Sequence, residues 1–263
     1  GGTAGSLMIA LAIHQVGNDS TALEFARACA DHLIAHAEAG VQGLAWRTQG
    51  PDKACLYGFA HGIAGIGLAL ARLGGVTGET RYHEAAMRAF ARESVAYVAD
   101  RKNWPDLRQR DGHGSIETAG WTCAWCHGAA GIGLARAGLV RDRQDIELRD
   151  DIERAVSSVL EHGFGSNACL CHGDLGNAEF LHVAGQALGR PDLVELALRI
   201  ACTIVDAHKD EGNWPCGIAG GLEVPGLMIG LAGIGYEFLR LAYPHRVPSV
   251  LLLEAPGSFG AAC

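Results

Sequence analysis

Apolar residues along the chain recur with helical spacing, in segments of two kinds. The first kind is short and rich in glycine, alanine and leucine, as in "GIAGIGLALARLGG" from Gly62, "GAAGIGLARAGLV" from Gly128 and "GLAGIGYEFLRLA" from Gly230. Apolar residues such as Leu68, Leu70 and Leu73 leave almost no polar face here, the pattern of a helix buried on all sides. The second kind is amphipathic. In "STALEFARACADHLIAHAEA" (20–39), Leu23, Ala26, Ala30, Leu33 and Ala37 form one stripe, and Ser20 and Thr21 are good N-cap types. The stretches 78–100, 143–163 and 190–208 behave alike, the last with Pro191 near its start. Alternation of period two is missing, so strands are at most minor; 247–254 ("VPSVLLLE") reads as a short strand or an extended tail.

Each apolar segment opens with G-x-x-G, at Gly2, Gly62, Gly128, Gly173 and Gly230, at intervals of 60, 66, 45 and 57 residues. Self-similarity on this scale marks a repeated supersecondary unit. The unit predicted is an inner glycine-rich helix, an outer amphipathic helix and a loop. Trp46 and the two N-W-P triplets at 103–105 and 213–215 read as loop anchors. Such hairpins curl readily into a ring, with inner-helix N-termini crowding one end of its axis and glycine permitting close approach. G-x-x-G here is not a phosphate loop, because no strand precedes it and no Lys-Ser/Thr follows.

Composition narrows the function classes. With 21 basic and 29 acidic residues the net charge is −8, and no Lys/Arg run stands out. This argues against a nucleic-acid partner. The apolar segments are too short and too rich in small residues to span a bilayer. No basic n-region suggests a signal peptide. With nine cysteines and no such signal, a disulfide framework is not expected, which leaves thiols, metal ligands or buried cysteines in a cytoplasmic protein.

The candidate chemistry lies just before the glycines. Cys-His-Gly occurs at 126–128 and again at 171–173, and Ala60-His61-Gly62 is the related triplet of an earlier repeat. His61, His127 and His172 thus share one repeat position, and Cys126 and Cys171 share the one before it. A ring would aim all five at a common centre. Cys and His are the preferred ligands of zinc, and a helix N-terminus favours the thiolate. Two Cys and one His would leave a tetrahedral position open, as catalytic zinc sites do. Three alternatives remain at this point: a closed structural site of Cys123, Cys126, Cys169 and Cys171, a redox C-x-x-C, or buried cysteines without metal.

"GFAHGIAGIG", "WCHGAAGIGLAR" and "CHGDLGN" resemble, in order, the three signature segments of the lanthionine synthetase C-like cyclases. "PGLMIGLAGIGYEFLRLAYPHRVPSVLLLE" resembles the C-terminus of class II lanthipeptide synthetases, where the cyclase follows a dehydratase domain. The resemblance covers essentially the whole chain, residues 1–263. It implies an all-α fold, an α/α toroid of seven helical hairpins around a Zn²⁺, of which this chain, with five G-x-x-G units, would lack the first two. It implies Cys126, Cys171 and His172 as zinc ligands, His61 as acid/base, and His127 as a proton-transfer or substrate-binding residue. The implied reaction is addition of peptide Cys thiols to dehydroalanine or dehydrobutyrine, giving thioether rings. The implied partners are a dehydrated precursor peptide and an upstream dehydratase domain.

Two departures stand out. The family's catalytic Asp precedes the G-x-x-G that matches Gly2–Gly5, and this sequence begins at Gly1. The Arg that some relatives carry just before the first zinc Cys is absent from "GWTCAWC". A zinc-containing module that binds peptides or thiols without turnover is therefore the main alternative. An α/α-toroid glycosidase using carboxylates such as Asp174 and Glu179 is a further one.

Overall fold

The computed structural model describes residues 2–48, 53–108, 118–140, 146–210, 212–220 and 222–257. Its helices are α1 (Gly2–Gly17), α2 (Ser20–Ala35), α3 (Ile63–Thr77), α4 (Thr80–Ser94), α5 (Ala129–Val140), α6 (Ile146–His162), α7 (Asp174–Leu188), α8 (Pro191–His208) and α9 (Leu231–Ala242). Each odd-numbered helix from α1 to α7 packs on the even-numbered one that follows it. The odd-numbered helices also pack on one another in sequence, α1 on α3, α3 on α5, α5 on α7 and α7 on α9. This gives two layers. The inner layer holds the glycine-rich helices and the outer layer the amphipathic ones. A small antiparallel hairpin, β1 (Glu38–Gly40) with β2 (Gly43–Ala45), lies against α4.

Burial follows the two patterns. In α5, every residue from Ala129 to Gly138 is buried, and in α7 every residue from Leu175 to Gly185. The outer helices bury a single stripe, as α4 does with Tyr82, Ala85, Ala86, Ala89 and Phe90. At the two ends of the inner layer apolar side chains stay exposed, among them Ile9, Ile13 and Val16 on α1 and Leu239 on α9.

The glycine pairs have one recurring cause. In α3, α5, α7 and α9 the loop before the helix folds back across its first turn. A Cβ on the second glycine would fall on the carbonyl oxygen six residues earlier: Phe59 O at 2.1 Å from Gly65, Trp125 O at 2.0 Å from Gly131, Leu170 O at 2.0 Å from Gly176 and Leu227 O at 1.7 Å from Gly233. The same loops satisfy N–H groups that the first helical turn leaves without partners. Ile63, Asp174 and Leu231 donate to the carbonyls of Leu56, Asn167 and Val224 at 3.0, 2.7 and 2.8 Å. G-x-x-G is thus a packing requirement of a self-capping loop. At Gly2 and Gly5 nothing described lies within 4 Å of the corresponding positions.

Two local expectations are corrected. The N-cap of α2 is Asp19, whose carboxylate accepts from Ala22 N at 3.0 Å; Ser20 and Thr21 lie inside the helix. Asp19 prevails because its carboxylate also carries charge to the positive helix end. The 247–254 segment forms turns rather than a strand. It is held from inside the fold, with Leu251 and Leu252 fully buried. Their carbonyls accept from Trp125 Nε1 (3.1 Å) and Arg72 Nη1 (2.7 Å).

The tryptophans anchor loops to the ends of outer helices. Trp46 Nε1 donates to Leu33 O and Trp104 Nε1 to Glu93 O, both at 2.8 Å. Trp214 packs edge-on against Phe238 of α9.

Candidate metal centre

The loops that cap the inner helices are stitched to one another by main-chain hydrogen bonds between equivalent repeat positions. Ala60 N–H donates to Cys126 O (3.3 Å), Cys126 N–H to Cys171 O (3.2 Å) and Cys171 N–H to Met228 O (2.8 Å). Each of these residues stands two before the first glycine of its unit. The row brings Cys126 and Cys171 side by side. Together with His172 they offer donor atoms that all lie within 4.8 Å of one another. Cys126 is buried, whereas Cys171 and His172 are partly open to solvent.

The chemistry of this donor set fits Zn²⁺. Two thiolates and an imidazole are soft and borderline ligands, and three of them leave one tetrahedral position for another molecule. His172 Nε2 lies 3.1 Å from the Gly217 carbonyl. An Nε2–H donated there leaves the Nδ1 lone pair for a metal, the usual support of a ligating histidine. The hydrogen bond from Cys171 and the Arg108 cation hold the Cys126 thiol below its ordinary range. That same bond, with burial, pushes Cys171 up.

His61 and His127 stand beside this cluster and outside it. Their rings stack at 5.4 Å between centroids, tilted by 17°. His127 is buried, and burial with the Arg108 charge pulls its pKa down to about 4. His61 is exposed, and desolvation by its neighbours followed by surrounding positive charge lowers its pKa from 6.5. Burial disfavours the cation, so the resident form of both rings near neutrality is neutral.

The remaining candidates point elsewhere. Cys123 Sγ faces Ser158 Oγ (3.4 Å) and Asn103 Nδ2 (3.3 Å), and Cys169, fully buried, accepts from the His172 N–H at 3.5 Å. Neither joins the donor cluster, so the four-cysteine arrangement does not form here. Asp174 is occupied by the N–H groups of Gly165 and Ser166, and Glu179 is fully buried against Arg240 Nε at 3.2 Å. No pair of glycosidase carboxylates is made by these two.

Arg108 and Asp106 were not visible as site residues from sequence. Asp106 holds the Arg108 fork through Nε and Nη2, at 2.9 and 2.6 Å, and also accepts from Thr122 Oγ1 at 3.0 Å. A signal did exist. Asp106 follows the first N-W-P directly, and Cys216, next to Gly217, follows the second. The residue two after Trp46 is Thr48, whose hydroxyl donates to the His61 carbonyl. In three repeats, therefore, a tryptophan anchors a loop whose next residues reach the site.

The fold recurs among known proteins, and the sequence has relatives. Over 200 residues the chain is 26% identical to the lacticin 481/lactococcin biosynthesis protein LcnDR2 of Lactococcus lactis subsp. lactis, covering 72% of this chain and 21% of that protein. The chain thus spans about a fifth of the length of this curated relative. Among solved structures, the Lin0763 protein from Listeria innocua shares the fold with a TM-score of 0.62 and 16% identity, covering 90% of this chain and 70% of the other. Nisin cyclase does so with a TM-score of 0.58 and 13% identity, covering 91% and 64%. The sequence profile of the lanthionine synthetase C-like proteins matches residues 1–252, and the chain belongs to that family.

Proposed function

We propose that the chain is a zinc-dependent cyclase that adds cysteine thiols of a precursor peptide to dehydroalanine or dehydrobutyrine residues, forming lanthionine and methyllanthionine rings. The observation that carries this reading is the Cys126–Cys171–His172 cluster, partly open to solvent at Cys171 and His172, with the stacked His61–His127 pair near it, in a chain of this family. The substrate has to arrive with its Ser and Thr residues already dehydrated. The proposed partner is accordingly a dehydratase, which the family resemblance puts upstream in the same polypeptide. All eight described cysteines are free, and no described helix is long and apolar enough to cross a membrane. Both features suit a reducing, cytoplasmic setting.

Cys126, Cys171 and His172 would hold the ion, with the Gly217 carbonyl orienting His172. Bound Zn²⁺ supplies Lewis acidity that favours the thiolate form of an incoming thiol near neutral pH. His61, neutral at rest, accepts the proton the thiol gives up. The sulfur lone pair forms the bond to Cβ, and the Cα=Cβ π pair moves toward the carbonyl oxygen as an enolate. His61 then returns the proton to Cα, so the reaction needs no redox partner. An imidazole whose pKa is lowered by desolvation and nearby positive charge suits this exchange, because it holds the proton weakly and gives it up readily.

The test uses a dehydrated peptide with one dehydroalanine and one cysteine. Ring formation leaves the mass unchanged, so it is read by loss of thiol alkylation in the mass spectrum. About one zinc per chain is expected by elemental analysis, lost in Cys126→Ala and in Cys171→Ala. His61→Ala should keep the zinc and lose ring formation. Zinc-dependent thiol binding by the parent chain without any ring would replace the cyclase with a thiol-binding module.

A further inference from the structure

Arg108 lies outside the G-x-x-G motifs, yet its charge reaches Cys126, Cys171, His61 and His127. The negative charge of Cys126 and Cys171 stabilises its guanidinium. Its own charge in turn disfavours protonation of His61 and His127. Those four residues come from three separate loops, and the guanidinium lies within electrostatic reach of all three.

Its position is built rather than incidental. Asp106, with a side chain only 7% exposed, grips the fork in two places, and the Arg108 N–H also bonds Asp106 Oδ1 at 3.1 Å. Thr122 Oγ1 donates to the same carboxylate, and paired hydrogen bonds of 2.8 and 3.1 Å tie the Asp106 backbone to Gly120. Asn103, ahead of Trp104, donates to the Thr122 carbonyl at 3.2 Å. The whole brace leads, four residues on from Thr122, to Cys126. Arg108 itself keeps 39% of its side chain open, and among the described residues its Nη1 makes no hydrogen bond.

We infer that Arg108 is a catalytic residue whose free guanidinium edge binds the carbonyl oxygen of the dehydro residue and stabilises the enolate formed there. This rests on the cyclase reading above. Addition of sulfur to Cβ puts a full negative charge on that oxygen until Cα is protonated, beside a cluster whose sulfurs are already anionic. A planar, permanently charged donor held by a buried carboxylate is suited to that oxygen, because it does not reorganise as the charge develops. The contact strengthens in the transition state, so its loss should lower kcat and leave KM nearly unchanged.

The test compares the parent chain with Arg108→Gln and Arg108→Lys, each checked for zinc content and circular dichroism. With the peptide above, Arg108→Gln should lose about 100-fold in kcat, the lower end for a removed oxyanion donor because this one is partly solvated. KM and zinc content should hold, and Arg108→Lys should recover part of the rate. A second readout needs no turnover. A short cysteine-free peptide carrying a nitroalkane side chain is titrated in its neutral and nitronate forms, the planar nitronate mimicking the enolate. The parent should prefer the nitronate, and Arg108→Gln should lose at least about tenfold of that preference. Unchanged kcat and unchanged nitronate preference overturn the inference and leave the cyclase reading intact. Zinc loss in Arg108→Gln overturns it too, making Arg108 a support of the metal. A parent chain that forms no ring yet shows the Arg108-dependent preference sinks the cyclase reading and keeps the anion-binding role.

Discussion

Gly176→Ala puts the link between the glycine motif and the metal cluster under the most direct strain. Gly176 lies in the first turn of α7, and a Cβ there would stand 2.0 Å from the carbonyl oxygen of Leu170 and 2.9 Å from its carbon. That carbonyl belongs to the peptide bond leading into Cys171. To reach an ordinary contact it has to retreat from 2.0 Å to at least 3.4 Å. Metal–ligand distances tolerate only about 0.2 Å, so such a retreat displaces Cys171 well beyond what a tetrahedral site allows. Overpacking against backbone costs about 1–3 kcal/mol, and the better helix propensity of alanine returns about 1. The expected net loss is up to about 2 kcal/mol, a fall of several degrees in Tm for a chain of this size. Gly235→Ala in α9 is the matched control, since nothing lies within 4 Å of its Cβ position. It should gain about 0.5–1 kcal/mol through backbone entropy alone. Thermal unfolding and zinc content of the two variants and the parent decide the matter. A Gly176→Ala chain that melts with the parent and keeps its zinc would refute the idea that the self-capping loop sets the position of Cys171.

Two further outcomes follow from buried charge. Arg136 and Glu93 are both fully buried and ion-paired, Asp151 lies 3.4 Å from Arg136 Nε, and Glu93 also accepts from Gly58 N–H at 2.9 Å. Removing the cation in Arg136→Met leaves Glu93 buried without a counter-ion, while Asp151 keeps Arg154 Nη1 at 3.4 Å, and denaturant titration should show a loss of about 3–5 kcal/mol; a loss below about 1 would show the pair to be dispensable. The second outcome concerns pH. Burial lowers the His61 pKa from 6.5, and His61 has to be neutral to take the thiol proton. Lowering pH protonates it, so the acid limb of kcat/KM should fall below pH 6.5. An acid limb at or above 6.5 would assign the titration to another group.

The repeat was legible in the sequence because its cause is local. A carbonyl covers the glycine six residues on, within one contiguous loop and helix, so G-x-x-G recurs wherever that turn is built. The two patterns of hydrophobicity likewise separate inner from outer helices, since full burial and one-sided burial demand different side chains. The shared repeat position of Cys126 and Cys171 could also be read, as could the histidines that follow them. What the sequence left open was which of these meet. Three histidines share one repeat position, yet only His172 joins the two sulfurs, while His61 and His127 stack on each other. That division comes from hydrogen bonds between loops 45 or more residues apart, as from Cys126 N to Cys171 O, and from the Gly217 carbonyl that fixes the His172 ring. Arg108 is the extreme case. The N-W-P triplet before Asp106 marks its loop as an anchored one, but only the placing of the Asp106-held guanidinium near residues of three other loops gives Arg108 a role. Pairings of this kind leave no mark on the hydrophobic pattern, because each joins residues far apart in the chain and depends on which side chains meet in three dimensions.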